Sequence, residues 1–364
     1  MNILHVGYIE NNKSSGVANV VPKYLEHQSK IINAALYNLE DFTPINSRGN
    51  YLVFLKLNFK NKTSNLPPPF NKPDLVIFHE IYRYDFIRLS RHYRKMNIPY
   101  IIVPHSSLTN VSQKRKKIKK ILGNIFIFNR YINNASAIHY LSEEEKNISK
   151  LRNMEDIVVG NGIDIPLIYK KSFSEDGLKI IYIGRLDIVA KGLDILLEAI
   201  NLIKDEMLAR KIIINISGPD QDNNLKSIMS FINENKLEEV VNVDAPIYGN
   251  KKVKKLLQFD CFIQLSRNEG QPLGLLEAMS LSLPPIATPG TSLYHVIKKH
   301  DLGFPVICNS KKVSEKILYI HDNLKSINRY SINTRIYILK NHNWTKITQN
   351  TVSEYKRLLK DFAQ

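Results

Sequence analysis

Two carboxylates, Glu269 and Glu277, stand eight residues apart in the run Ser266-Arg267-Asn268-Glu269-Gly270-Gln271-Pro272-Leu273-Gly274-Leu275-Leu276-Glu277-Ala278-Met279. Pro272 fits the first turn of a helix, where its missing N–H costs no bond. This leaves Glu269 in the preceding loop and Glu277 more than one turn along the helix. At 1.5 Å per residue, eight residues span about 12 Å. Carboxylates so separated can hold hydroxyls at opposite ends of a nucleotide sugar, with the helix N-terminus against the diphosphate between them. Taken alone, the same pair would also suit the acid and base of a hydrolase.

A second group of charges follows the apolar run 179–183: Gly184-Arg185-Leu186-Asp187, then Lys191-Gly192 at the start of the next helical pattern. A cation on either side of a strand-to-helix turn can neutralise a diphosphate leaving group, helped by the N–H groups of the helix start. Solvated loop charges are the other reading of Arg185 and Lys191. His105, in Pro104-His105-Ser106, directly follows the apolar run 100–103 and serves either packing or a ligand. Gly16, in Ser14-Ser15-Gly16-Val17, follows the first strand and opens a helix, where a missing Cβ lets backbone and ligand approach closely.

Two acidic signals are read as structural. Asp220-Gln221-Asp222 has the Asp-x-Asp spacing of metal-dependent transferases, but it sits between a strand and a helix, where acids cap the helix and favour its dipole. His79-Glu80 begins like a zinc-binding helix motif, yet Arg83 stands where the second histidine belongs. No metal or other cofactor is therefore expected.

The elements that must position these residues alternate between short apolar runs and 3.6-residue periodicity, the pattern of parallel sheets with crossover helices. Strands are expected at 3–7, 75–78, 100–103 and 137–141, and again at 179–183, 212–216, 240–243, 261–265 and 285–287. Helical faces comprise Val17, Val20, Val21, Tyr24 and Leu25; Leu193, Leu196, Leu197 and Ile200; and Leu225, Ile228, Met229 and Ile232. The polar stretch 170–177 after Asn161-Gly162-Ile163-Asp164 is the linker candidate. The fold class is thus α/β, two Rossmann-like doubly wound domains facing a central cleft, with ligands beyond the carboxyl ends of the strands. The domains are placed at residues 1–165 and 166–345, followed by a terminal helix at 346–364.

The run from Glu269 to Met279, followed by Pro284-Pro285-Ile286-Ala287-Thr288, resembles the Glu-x7-Glu motif of retaining glycosyltransferases of the GT-B fold, family 4 (glycosyl transferases group 1). The resemblance implies that Glu269 contacts the donor sugar and Glu277 the ribose, that Gly270, Gln271, Pro272 and Leu273 line the donor, and that Arg185 and Lys191 meet the diphosphate. It also implies that His105 faces the donor sugar, that Gly16 lies near the donor, and that the loop carrying Ile247 in Ala245-Pro246-Ile247-Tyr248-Gly249 meets the base through its backbone. The terminal segment with Trp344 and Tyr355 resembles the helix that crosses back to the first domain. Ser15-Gly16 replaces the family's two adjacent glycines, Ser282 replaces a glycine, and Thr288-Pro289-Gly290-Thr291-Ser292 follows the family's Gly-rich turn loosely.

On these grounds the expected activity is transfer, with retention and without metal, of a hexose or N-acetylhexosamine from a nucleotide diphosphate sugar, with UDP favoured. The acceptor is a hydroxyl of a glycan or lipid-linked oligosaccharide in envelope polysaccharide synthesis, of the O-antigen or capsule kind. A nucleotide-sugar epimerase or hydrolase of the same fold is the nearest alternative.

Composition sets outer limits. A chain of 364 residues exceeds what one core usually organises. Its 51 Lys and Arg against 34 Asp and Glu give a charge of +17, which draws polyanions. Lys114, Arg115, Lys116, Lys117, Lys119 and Lys120 precede Ile121, Leu122, Ile125 and Phe126 at helical spacing, a pattern for a helix on an anionic membrane surface or against an acceptor. A solvated helix end leading into a core helix is the plainer reading. No zinc finger, basic zipper or aromatic RNA-binding signature accompanies the charge, so nucleic acid is not an expected partner. The first residues read as a buried strand rather than an export leader. Cys261 and Cys308 are too few for a disulfide framework, and no apolar run approaches a membrane span. A cytoplasmic location, peripheral on the inner membrane face, is expected.

Overall fold

The structure, a computed structural model, describes all residues except 13–14, 41–65, 115–119, 121–122, 150–153 and 364, and the side chains of 125, 126 and 363. Among the described residues the chain forms two compact units, Met1–Gly162 with Trp344–Gln364, and Ile163–Asn343.

The first unit runs β1 (Asn2–Gly7), α1 (Gly16–Gln28), β2 (Asn33–Asn38), β3 (Leu75–His79), α2 (Tyr84–Lys95), β4 (Tyr100–Val103), α3 (Asn110–Lys114), α4 (Asn129–Asn133, entered through a π-helical turn), β5 (Ala137–Tyr140), α5 (Glu143–Asn147) and β6 (Glu155–Val158). All pairings are parallel, in the order β2-β1-β3-β4-β5-β6. Helices cover both faces of such a sheet, so its strands read as continuous apolar runs rather than alternations. β3 and β4 are accordingly buried at every position. Phe78 meets Tyr100 and Tyr131 edge-on at 5.5 and 5.6 Å, contacts that add about 0.5–1.5 kcal/mol each to simple burial.

The second unit runs β7 (Leu178–Ile183), α6 (Leu193–Leu202), α7 (Lys204–Ala209), β8 (Ile212–Ser217), α8 (Asn224–Glu234), β9 (Val241–Asp244), α9 (Gly249–Leu256), β10 (Cys261–Gln264), α10 (Leu273–Ser280), β11 (Pro285–Ala287), α11 (Tyr294–Lys299), β12 (Phe304–Pro305), α12 (Ser310–Asp322) and α13 (Leu324–Asn341). Its parallel sheet has the order β12-β11-β10-β7-β8-β9. Alternate residues of β7 serve opposite cores. Ile180 and Tyr182 join the layer of α6, α8 and α12, while Ile181 and Ile183 join that of α10. The face expected on α8 is narrower than its sequence implies: Ile228 and Ile232 are buried, whereas Leu225 and Met229 are 38% and 40% exposed.

The last helix, α14 (Trp344–Ala363), belongs to the first unit and packs on α1. The Trp344 ring stacks on His27 at 5.0 Å and meets Tyr24 edge-on at 5.2 Å. Farther along, Tyr355 Oη lies 3.0 Å from His139 Nδ1 of β5.

Candidate active site

In an open parallel sheet, loops diverge where the strand order reverses, leaving a crevice at the carboxyl ends of the two central strands. In the second unit that reversal falls between β7 and β10. Their following loops carry Arg185 and Lys191 in one case and Glu269 in the other.

Lys191 Nζ and Glu269 Oε1 form an ion pair, with the side chains 13% and 15% exposed. The same Oε1 accepts from Gln264 Nε2 at 2.9 Å and Ser266 Oγ at 3.0 Å. Charge-assisted bonds of this kind are stronger than neutral ones. Oε2 takes no hydrogen bond among the described residues, which leaves a carboxylate oxygen for a ligand hydroxyl.

Close backbone contacts hold both loops. Gly192 adopts φ 68°, and a Cβ there would lie 2.2 Å from the Leu265 carbonyl oxygen, so only glycine fits. Gly290 is equally constrained, since its Cβ would meet the Ser266 oxygen at 2.2 Å. From the same turn Thr288 Oγ1 donates to the Ser266 carbonyl at 2.8 Å, and Ser292 Oγ donates to the Glu269 carbonyl. Arg267 adds a bidentate pair to Asp194 of α6 at 2.7 and 2.8 Å, which raises the guanidinium pKa and ties the loop to the helix.

Arg185 is exposed and forms no ion pair among the described residues. Beneath it the buried Tyr182 hydroxyl donates to the Arg185 carbonyl at 2.6 Å, and burial pushes that phenol far above its usual pKa. Gly270 and Pro272 are buried, Gln271 and Leu273 half-buried. Pro272 stands one residue ahead of α10 as its cap, rather than in the first turn, and supplies no side-chain acceptor. The first N–H groups of α10 thus lack a side-chain cap, a setting suited to an anion. Glu277, in the middle of α10, is 43% exposed and is paired with Lys252 of α9. Ile247 packs against the core beside α10.

The other candidates lie in the first unit. Gly16 is the first residue of α1, and Ser15 Oγ caps the helix through Ala18 N at 3.3 Å. His105 and Ser106 follow β4 in the left-handed region, at φ 47° and 68°. The Glu145 carboxylate, fully buried, fixes that turn by accepting from Ser106 N and, at 2.7 Å, from Leu141 N. The His105 side chain joins a file of histidines: Nε2 lies 3.2 Å from His79 Nδ1, and His79 Nε2 lies 2.9 Å from His5 Nδ1. Burial lowers the pKa of His105 to about 3 and of His5 to about 4, and drives that of His79 well down, so all three are neutral near pH 7.

Among the basic cluster, Arg115, Lys116, Lys117 and Lys119 lie outside the described residues, as do Ile121, Leu122 and the side chains of Ile125 and Phe126. Lys114 is exposed at the end of α3, and Lys120 Nζ donates to the Ser112 carbonyl at 2.6 Å and lies 5.1 Å over the Tyr82 ring. No described helix is long and apolar enough to cross a membrane. Asp220 accepts from Asn224 N at 2.8 Å and Leu225 N at 3.1 Å, so it caps α8. His79 ends a strand and does not open a helix. Three contacts were not singled out from the sequence. Gln264 and Ser266 are signalled only as polar residues closing an apolar strand, and Lys252 is hidden within the basic run 251–255.

Two parallel six-stranded sheets with flanking helices define the GT-B fold, and solved structures similar to this chain share it. Sucrose-phosphate synthase from Thermosynechococcus elongatus aligns with a TM-score of 0.76 and 14% identity over 99% of this chain and 100% of its own. HepE of Anabaena, in complex with UDP and glucose, aligns at 0.73 and 16% over 98% and 100%. WaaG, a glycosyltransferase involved in lipopolysaccharide biosynthesis, aligns at 0.67 and 11% over 97% and 99%. No curated protein matches the sequence. Residues 165–336, within the second unit, match the family described as Glycosyl transferases group 1.

Proposed function

We propose that the chain is a retaining, metal-independent hexosyltransferase of family 4, moving a hexose or N-acetylhexosamine from a nucleotide diphosphate sugar to a hydroxyl. The observation that carries this reading is the Lys191–Glu269 pair at the strand-order reversal, beside the exposed Arg185 and the uncapped start of α10. Arg185 and Lys191 meet the departing diphosphate, the uncapped N–H groups that open α10 add to that field, Gly270, Gln271, Pro272 and Leu273 line the donor, and Glu269 orients the sugar. Glu277 holds the ribose, and the loop at Ile247 meets the base. No side chain is assigned as a covalent nucleophile. Attack on the same face as departure, assisted by the leaving phosphate, accounts for retention.

UDP is the favoured nucleotide, a choice supported by the UDP complex of HepE. Gly16 lies near the donor and His105 faces the donor sugar, while the first unit takes the acceptor, a glycan or lipid-linked oligosaccharide of envelope synthesis. Lys114 to Lys120 then approach an anionic membrane from the cytoplasmic side. A thermal-shift screen over nucleotide sugars, followed by product analysis with and without acceptor, tests the reading, because a ligand of the native state stabilises it by mass action. Stabilisation by a UDP-sugar with acceptor-dependent product is the expected result. Epimerised or hydrolysed donor as the sole product would favour the alternative enzymes.

A further inference from the structure

Behind His105 the file of histidines ends on an amide. His5 Nε2 lies 2.7 Å from Gln28 Oε1, and a carbonyl oxygen can only accept. With the amide oxygen on that side, His5 carries its hydrogen on Nε2, which makes its Nδ1 an acceptor. The partner of that Nδ1, His79 Nε2, must then carry a hydrogen, and His79 Nδ1 accepts in turn from His105 Nε2. Each ring is neutral and has a single N–H to place, so one choice at Gln28 propagates through all three. It ends at His105 Nδ1, a lone pair with no hydrogen bond among the described residues.

Gln28 itself is 0% exposed, and its Nε2 has no partner. Burying an unpaired donor destabilises a fold, a cost that a methionine of similar length would not carry. Packing therefore does not account for glutamine at the end of α1.

We propose that Gln28, His5 and His79 are positioning residues that hold His105 as the Nε2–H tautomer, so that Nδ1 offers a lone pair to a ligand hydroxyl. The tautomer rests on the hydrogen-bond file alone, while the hydroxyl partner rests on the reading of His105 as a donor-sugar contact. A ligand whose hydroxyl there is replaced by hydrogen or by an acceptor is disfavoured.

The test uses the full chain labelled with 15N-histidine, with two-bond ring correlations reporting each tautomer and His105→Gln identifying the His105 signals. The wild type is expected to show His105 protonated on Nε2, and Gln28→Met to yield a mixture of tautomers. An Nδ1–H form of His105 in the wild type, which requires no folded variant, overturns the proposal, as does an unchanged tautomer in Gln28→Met. In the same variant, sugar-donor turnover is expected to fall roughly two- to tenfold, the worth of one net hydrogen bond. If the tautomer shifts as expected and turnover does not, the file of histidines stands and the hydroxyl contact of His105 falls.

Discussion

Lys191 and Glu269, 78 residues apart in the chain, meet because β7 and β10 are neighbours at the point where the strand order of their sheet reverses. The pair is tied on one side only, through Oε1, and the second oxygen faces no protein donor among the described residues. Glu269→Gln keeps shape and the bonds to Gln264 and Ser266 within reach but removes the charge. It is expected to lower donor turnover by about 10²–10³, the usual effect of removing a preorganised electrostatic contact. Steady-state kinetics alongside a melting curve close to wild type check this; wild-type turnover would remove Glu269 from the mechanism.

Glu277 sits farther along α10 with Lys252 as its partner. If it holds the ribose, its contact is made equally in ground and transition states, which affects KM rather than kcat. Glu277→Ala is expected to raise the donor KM about tenfold, the low end for a bond to a charged group, with kcat within about twofold. A fall in kcat at constant KM would assign Glu277 to the chemical step.

Much of this was legible in the sequence. β7, β8 and β10 are rich in isoleucine and other apolar residues, bounded by polar loops, and the helix after Glu269 begins next to its proline. β2 was not read, because Asn33-Ala34-Ala35-Leu36-Tyr37-Asn38 has no β-branched residue and owes its place to pairing with β1. β12 is two residues long and exists only against β11. Leu225 and Met229 follow the helical period but are exposed, since periodicity gives the face of a helix and not the width of what covers it. Lys252 is one of four lysines in five positions, and only the packing of α9 selects it for Glu277.

Three buried histidines and the half-buried His105 give the first unit an acid-sensitive stability. His5 and His139 are lowered to about 4 and His105 to about 3 by burial, with His79 lower than usual as well, against an unfolded value near 6.5. Below pH 6.5 the unfolded chain binds protons that the native rings refuse. Their contribution is therefore full above pH 6.5 and is lost as pH falls toward 4, by up to about 1.4 kcal/mol per pH unit per group. Glu80 and Glu145, whose carboxyls burial pushes up, oppose this over part of the window. Urea midpoints between pH 7.5 and 4.5 should decrease, and a flat profile would contradict neutral burial of the rings.

The end of α10 offers a stability test remote from chemistry. Ser282 N donates to the Met279 carbonyl and Leu283 N to the Ala278 carbonyl, both at 3.1 Å, and Ser282 takes φ 69°. This Schellman closure favours glycine at the left-handed position. Ser282→Gly is expected to stabilise by roughly 0.5–1 kcal/mol, the relief of left-handed strain exceeding the added freedom of the unfolded chain. A lower denaturation midpoint would show that the buried serine contributes more than its conformation costs.

The central claim is that the lysine and arginine at this reversal receive a nucleoside diphosphate. Calorimetric titration with UDP tests it without knowledge of the sugar or acceptor. The wild type is expected to bind UDP, and Lys191→Ala to bind it about ten- to a hundredfold more weakly, the loss of one charge-assisted bond. Equal UDP affinity in the two proteins, or no binding to the wild type, would contradict the account.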